Sequence, residues 1–117
     1  MDNAFNPRDL SQYFGKTFVT KSGSRYGIDS SGNFHGRPSI EGAKIEIIVA
    51  MNRENLGLLD DLLAVPDPQS KKKYDELLIK LGLPVKAGLP LVLSLAEESR
   101  LKYNTLGMIT SNISEIV

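Results

Sequence analysis

Few side chains in this chain are equipped for chemistry, and their spacing decides how much to expect of them. His35 is the sole imidazole, set between Phe34 and Gly36 in a turn-rich stretch. A histidine there can serve as a general base or a pH-sensitive contact. No serine or acid stands at a spacing that marks a nucleophile–base set, so its surroundings in the chain read as those of a surface histidine. Asp60-Asp61 and Glu97-Glu98 are adjacent acidic pairs. Neighbours on a helix point about 100° apart, so neither pair is a dyad on its own. Two such pairs meeting in space could hold a divalent ion, but solvated helix faces explain them more simply.

Lys71-Lys72-Lys73 is the densest basic cluster, with Lys80 beyond. It falls at the start of a predicted helix, where cations oppose the helix dipole. A phosphate-facing patch is one reading; Asp75 and Glu76 dilute it, and a solubilising face is the simpler one. Thr20-Lys21-Ser22-Gly23-Ser24-Arg25 could offer backbone N–H groups and two cations to an anion. It lacks the glycine spacing and following helix of a phosphate loop, and a plain hairpin turn suits it better. Tyr26, Phe34 and Tyr103 could stack bases beside Lys and Arg on a sheet face. Only eight aromatic residues are present, four Tyr and four Phe, and a core needs several of them.

The composition excludes more than it assigns. The 117 residues carry a formal net charge of zero, so no whole-molecule basic field draws in nucleic acid or membrane. A local patch stays open. With no cysteine, disulfides, thiolate metal sites and a cysteine nucleophile are all excluded. A zinc site would need carboxylates beside the one histidine, an uncommon ligand set, and no metal or cofactor is expected. The start, Met1-Asp2-Asn3-Ala4-Phe5, lacks the basic and apolar regions of a signal peptide. No apolar run approaches a membrane span. The expectation is a soluble cytoplasmic protein of one domain, residues 1–117.

The elements that must position these residues are strands broken by one helical insertion. Asn6-Pro7 has the grammar of a helix start, and the spacing predicts a short helix over Pro7–Phe14. Lys16–Lys21 and Arg25–Asp29 read as a hairpin around Ser22-Gly23-Ser24. Phe34–Arg37 is a weak third strand that Pro38 ends or confines to an edge. Ala43–Met51 is the strongest strand, with Ile45, Ile47 and Val49 on one inward face.

The period then changes to helical over about residues 52–82. Asn52 and Ser70 are the predicted caps, and the apolar faces are Leu56, Leu59, Leu62 and Leu63, then Tyr74, Leu77, Leu78 and Leu81. Gly57 weakens the first helix and Val65-Pro66-Asp67-Pro68 ends it. Alternation returns at Leu89, Leu91, Leu93 and Leu95. Ala96–Lys102 is a connector or short helical turn, Thr105–Thr110 a further strand, and Asn112–Ile116 follows. Gly88-Leu89-Pro90-Leu91-Val92-Leu93 and Ile109-Thr110-Ser111-Asn112-Ile113 resemble a pattern in small β-rich prokaryotic and viral proteins, which implies no activity.

These elements predict an α+β chain. Five or six short strands form a small, strongly curled antiparallel sheet or partly open β-barrel, with an inserted helical hairpin and a short N-terminal helix. The expected function is a non-catalytic interaction module that binds another protein or self-associates, by strand addition at an edge or helix packing in a groove. The alternative is a nucleic-acid-binding barrel. Its candidate contacts are Lys21, Arg25, Tyr26, Arg37, Lys71, Lys72 and Lys73, with Lys16 adding charge. A third reading, an enzyme in a cleft between sheet and hairpin, would use His35, Asp60 or Glu97.

Overall fold

The computed structural model describes residues 5–117; the signal-peptide expectation rests largely on the four residues before them and lies outside. Six strands and three α-helices are present among these residues: β1 Thr17–Thr20, β2 Arg25–Ile28, β3 Phe34–His35, β4 Ile45–Ala50, α1 Gly57–Leu63, α2 Pro68–Leu81, β5 Pro90–Leu95, α3 Glu97–Tyr103 and β6 Gly107–Ile116. The strands form one antiparallel sheet in the order β3-β2-β1-β6-β5-β4. The architecture is α+β, as the change of hydrophobic period predicts.

The sheet is open, and the barrel closure and strong curl expected from its many short strands are not part of it. Just before its two outer strands, one isolated bridge pairs Asn33 with Lys44. Other backbone bonds occupy their free edges. Phe34 N–H donates to Ala43 O, Ile48 N–H donates to Pro7 O, and Ala50 and Leu83 exchange both bonds. Long β6 joins the halves by pairing β5 with its first part and β1 with its second. It replaces the two separate segments expected there.

Other departures have local causes. The predicted helix over Pro7–Phe14 is a single 3-10 turn, Ser11–Tyr13. Asn6 Oδ1 accepts from Arg8 N–H and Asp9 Oδ1 from Ser11 N–H, at 3.0 and 3.1 Å. Such side-chain turns compete with helical bonding. Asn52 precedes a 3-10 turn and makes no side-chain cap. The cap of α2 is Asp67, not Ser70: its carboxylate accepts from Ser70 N–H at 2.8 Å, with Pro68 at the first helical position. In β4 the expected single face splits. A bulge between Ile45 and Ile47 adds one residue against β5, so Ile45 and Ile48 point one way and Ile47 and Val49 the other.

Two cores follow from that split. One takes Phe18, Tyr26, Ile28, Phe34, Ile45, Leu93, Met108 and Ile113 among others, drawing on all six strands. The second packs Leu59 of α1 and Tyr74 and Leu78 of α2 onto Ile47, Val49 and Val92. The helices sit very close to the strands. A Cβ on Gly82, at the end of α2, would lie 2.5 Å from Val49 Cγ1 and 2.3 Å from Leu78 O. Glycine is needed there for room, since its φ of −68° suits any residue.

Candidate functional site

A cleft of about 390 Å³ opens between the helical hairpin and the sheet. Arg37, Ser39 and Ile40 form one wall, from the segment after β3. Asp60 and Leu63 of α1 form another. Tyr103, Thr105 and the start of β6, with Met108 and Ile109, close it. An apolar floor with a few polar groups at its rim is the usual make-up of a binding cleft.

Arg37 is held rather than loose. Its Nη2 donates to Tyr26 Oη at 3.2 Å, and its guanidinium lies 5.8 Å from the centre of the Tyr26 ring. Burial pushes the Tyr26 phenol up, but bonds from Arg37 and Ser24 outweigh it and leave the pKa below its ordinary value. Among the described residues no carboxylate lies within ion-pair distance of Arg37. Its guanidinium lines the cleft beside Ser39 and Ile40.

The wall that carries Arg37 is fixed by His35. The imidazole sits between two carboxylates: Nδ1 is 2.5 Å from Glu41 Oε2 and Nε2 is 2.7 Å from Asp29 Oδ2. Asp29 also accepts from Ser31 and Asn33 N–H, which closes the β2–β3 turn. Glu41 also accepts from Gly36 N–H at 2.9 Å, and its carbonyl accepts from Tyr103 Oη at 2.6 Å. Hydrogen bonds to Asp29 and then Glu41 raise the His35 pKa above 6.5. The His35 and Asn33 bonds hold Asp29 below its usual range; the Gly36 and His35 bonds do the same for Glu41. This trio was not legible as a set. Each acid stands six residues from His35, and only the two turns bring them together.

The basic cluster is broken by the fold. Lys71 is buried, its side chain 9% exposed, while Lys72 and Lys73 face solvent beside Asp67, Gln69 and Glu76. Lys71 Nζ donates to Glu46 at 2.8 Å, to Ser94 Oγ at 3.3 Å, and to Asp75. Ser94 in turn donates to Asp75. Burial pushes the Asp75 carboxyl up, beyond what Lys71 and Ser94 offset. Burial pushes Glu46 up too, yet Lys71 outweighs it and holds that carboxylate down. Lys71 is thus an ion-pair partner in the core, not a phosphate contact. A signal existed: Lys71 stands three residues before Tyr74 and seven before Leu78, on the apolar stripe of α2.

The other candidates separate likewise. Lys21 and Arg25 are exposed at the β1–β2 turn. The N–H groups of Thr20, Lys21, Gly23 and Ser24 are all taken by protein oxygens, so that turn is no anion nest. Tyr26 and Phe34 are 6% and 1% exposed and stack on each other at 5.5 Å. They are core rings, not a platform for bases. Glu97 pairs with Arg100, whose Nη1 donates to Pro66 O and ties α3 to the helical hairpin. The fold brings Arg37 and Asp60 to one cleft and leaves Lys72 and Lys73 at another.

Among the described residues no helix is long and apolar enough to cross a membrane. No protein-family model, curated protein or solved structure matches the chain.

Proposed function

We propose that this chain is a non-catalytic interaction module of the cytoplasm, holding another protein or a second copy of itself through the helical hairpin and the cleft beside it. The observation that carries this reading is α1. Leu59 is 1% exposed beneath it, yet Leu58 in its first turn and Val65, in the bend just past its end, are 53% and 50% exposed. Leu58 and Leu62 are one helical turn apart, Leu62 half-buried against the second core, and Val65 extends the apolar surface from the bend that follows. Large apolar groups grouped on one turn-and-helix unit mark a contact surface better than scattered ones do. The mode is helix-face packing. Strand addition loses its support, because the free edges of β3 and β4 already bond to the chain itself.

The nucleic-acid reading keeps Lys21, Arg25, Arg37, Lys72 and Lys73 as phosphate partners. It loses Lys71 and the stacking rings, and so ranks second.

Sedimentation or light scattering over a concentration series, with pull-down from the native source, tests the proposal. Wild type associates with itself or retains a partner; L58E/V65E loses that association. A strictly monomeric chain that retains nothing removes it. Binding to oligonucleotides that falls steeply with salt would favour the second reading instead.

A further inference from the structure

The strongest built cluster outside the core is the imidazole between Asp29 and Glu41, and its place in the fold suggests a use. We infer that Asp29, His35 and Glu41 form a proton-operated clamp, which fixes the Arg37–Ile40 wall of the cleft while His35 is charged and loosens it when the proton leaves. It rests on the preceding proposal only for the cleft's use; the clamp itself is a property of the chain.

The geometry carries the inference. Both ring nitrogens of His35 face carboxylate oxygens, at 2.5 and 2.7 Å. Only the imidazolium donates from both; a neutral ring donates from one and turns a lone pair toward the other carboxylate. Deprotonation therefore breaks one side of the clamp and sets a lone pair against an anion. Glu41 is the side that matters to the cleft. It grips Gly36 N–H through Oε1, bonds Tyr103 through its carbonyl, and donates its own N–H to Pro38 O. Residues 36–41 are thus pinned at both ends by one glutamate, and Arg37, Ser39 and Ile40 between them line the cleft. Gly36 sits at φ +120°, where a Cβ would meet Arg25 O at 2.3 Å, and after it the segment leaves the β2–β3 ladder as a 3-10 turn, Pro38–Ile40, closed by Ile40 N–H on Arg37 O.

The charged groups on His35 are Asp29, just past the end of β2, and Glu41 from the loop before β4. Its partner across the β2 ladder is Gly27, which adds no charge, and Arg37 is turned to Tyr26. His35 and Glu41 are about half exposed, so a proton can reach them, and salt screens the pair partly.

The test uses the full chain and its single histidine, whose imidazole signals need no assignment. NMR titration from pH 5 to 9 follows the ring together with the amides of Gly36, Arg37 and Ile40. The expected result is a His35 midpoint above 6.5, shared by all three amides. Gly36 hydrogen exchange, corrected for its intrinsic pH dependence, should accelerate above that midpoint. H35Q should abolish the shared transition, and E41Q should lower the midpoint and uncouple Gly36. The clamp is overturned if the wall amides do not move with the ring, or if their transition survives H35Q. These signals belong to the chain alone, so failure to find a partner leaves the clamp standing. A failed clamp leaves the binding proposal standing.

Discussion

A charge means different things at different depths in this molecule, and adjacent residues show it. Lys71 lies inside with Asp75 and Ser94 and reaches a half-exposed Glu46, while Lys72 and Lys73 lie outside. Removing one partner of a buried ion pair strands the others without compensation. K71M should therefore destabilise the fold by about 3 kcal/mol, and K72M or K73M by less than about 0.5 kcal/mol. Urea midpoints at neutral pH check the contrast. His35 makes the opposite case, an exposed charge whose worth follows pH. Its pKa is raised on folding, so its stabilisation is full below 6.5 and fades as pH rises through the higher folded value. Asp29 and Glu41 are held below their ordinary 3.8 and 4.5, so theirs is present above those values and fades as pH falls through the folded ones. The trio supports the fold most between about pH 4.5 and 6.5, and the His35 part fades above that. H35Q should flatten the upper limb of the stability–pH profile; an unchanged limb would deny His35 that role.

At the level of elements, ends and irregularities decide placement. Helix α2 is anchored at its start by Asp67 and at its finish by the absence of a side chain on Gly82. D67A should cost about 1 kcal/mol, and D67N much less, because asparagine caps as well as aspartate. A thermal melt would register the alanine variant as a drop of about 4 °C. A similar drop in D67N would point to the charge rather than the cap. The bulge in β4 has a wider consequence. By flipping the phase after Ile45, it lets a short strand feed both cores. Tyr74 of α2 crosses the second core and donates to Leu93 O at 2.8 Å. Burial raises its pKa, so the donor persists at any ordinary pH.

Across the whole molecule, the helical hairpin covers one face of β4 and β5 and leaves Leu58 and Val65 exposed among the charged residues of its far side. Leu58 and Val65 pack against little, so L58E/V65E should leave stability within about 0.5 kcal/mol of wild type. The same substitution should remove association. Loss of folding in this variant would instead make the pair part of the core. The cleft lies where the hairpin, the segment after β3 and the start of β6 converge, so binding there would sense how the hairpin sits on the sheet.

Alternation and period sufficed, within the chain itself, to determine the α+β class, the β1–β2 hairpin, the leucine strand β5 and the two helices with their proline stop. These rest on local preferences and on hydrophobic patterns spanning a few turns, which neighbours in sequence carry. The open sheet order, the bulge in β4, the partners that Lys71 meets and the meeting of Asp29, His35 and Glu41 were decided only by tertiary structure. Each depends on which distant backbone comes alongside: Lys71 counts as core only once Glu46 and Ser94 stand opposite it, and His35 becomes a clamp only when two turns converge. Pattern in a chain reports the face a residue occupies; the charge or carbonyl waiting across that face is set by packing.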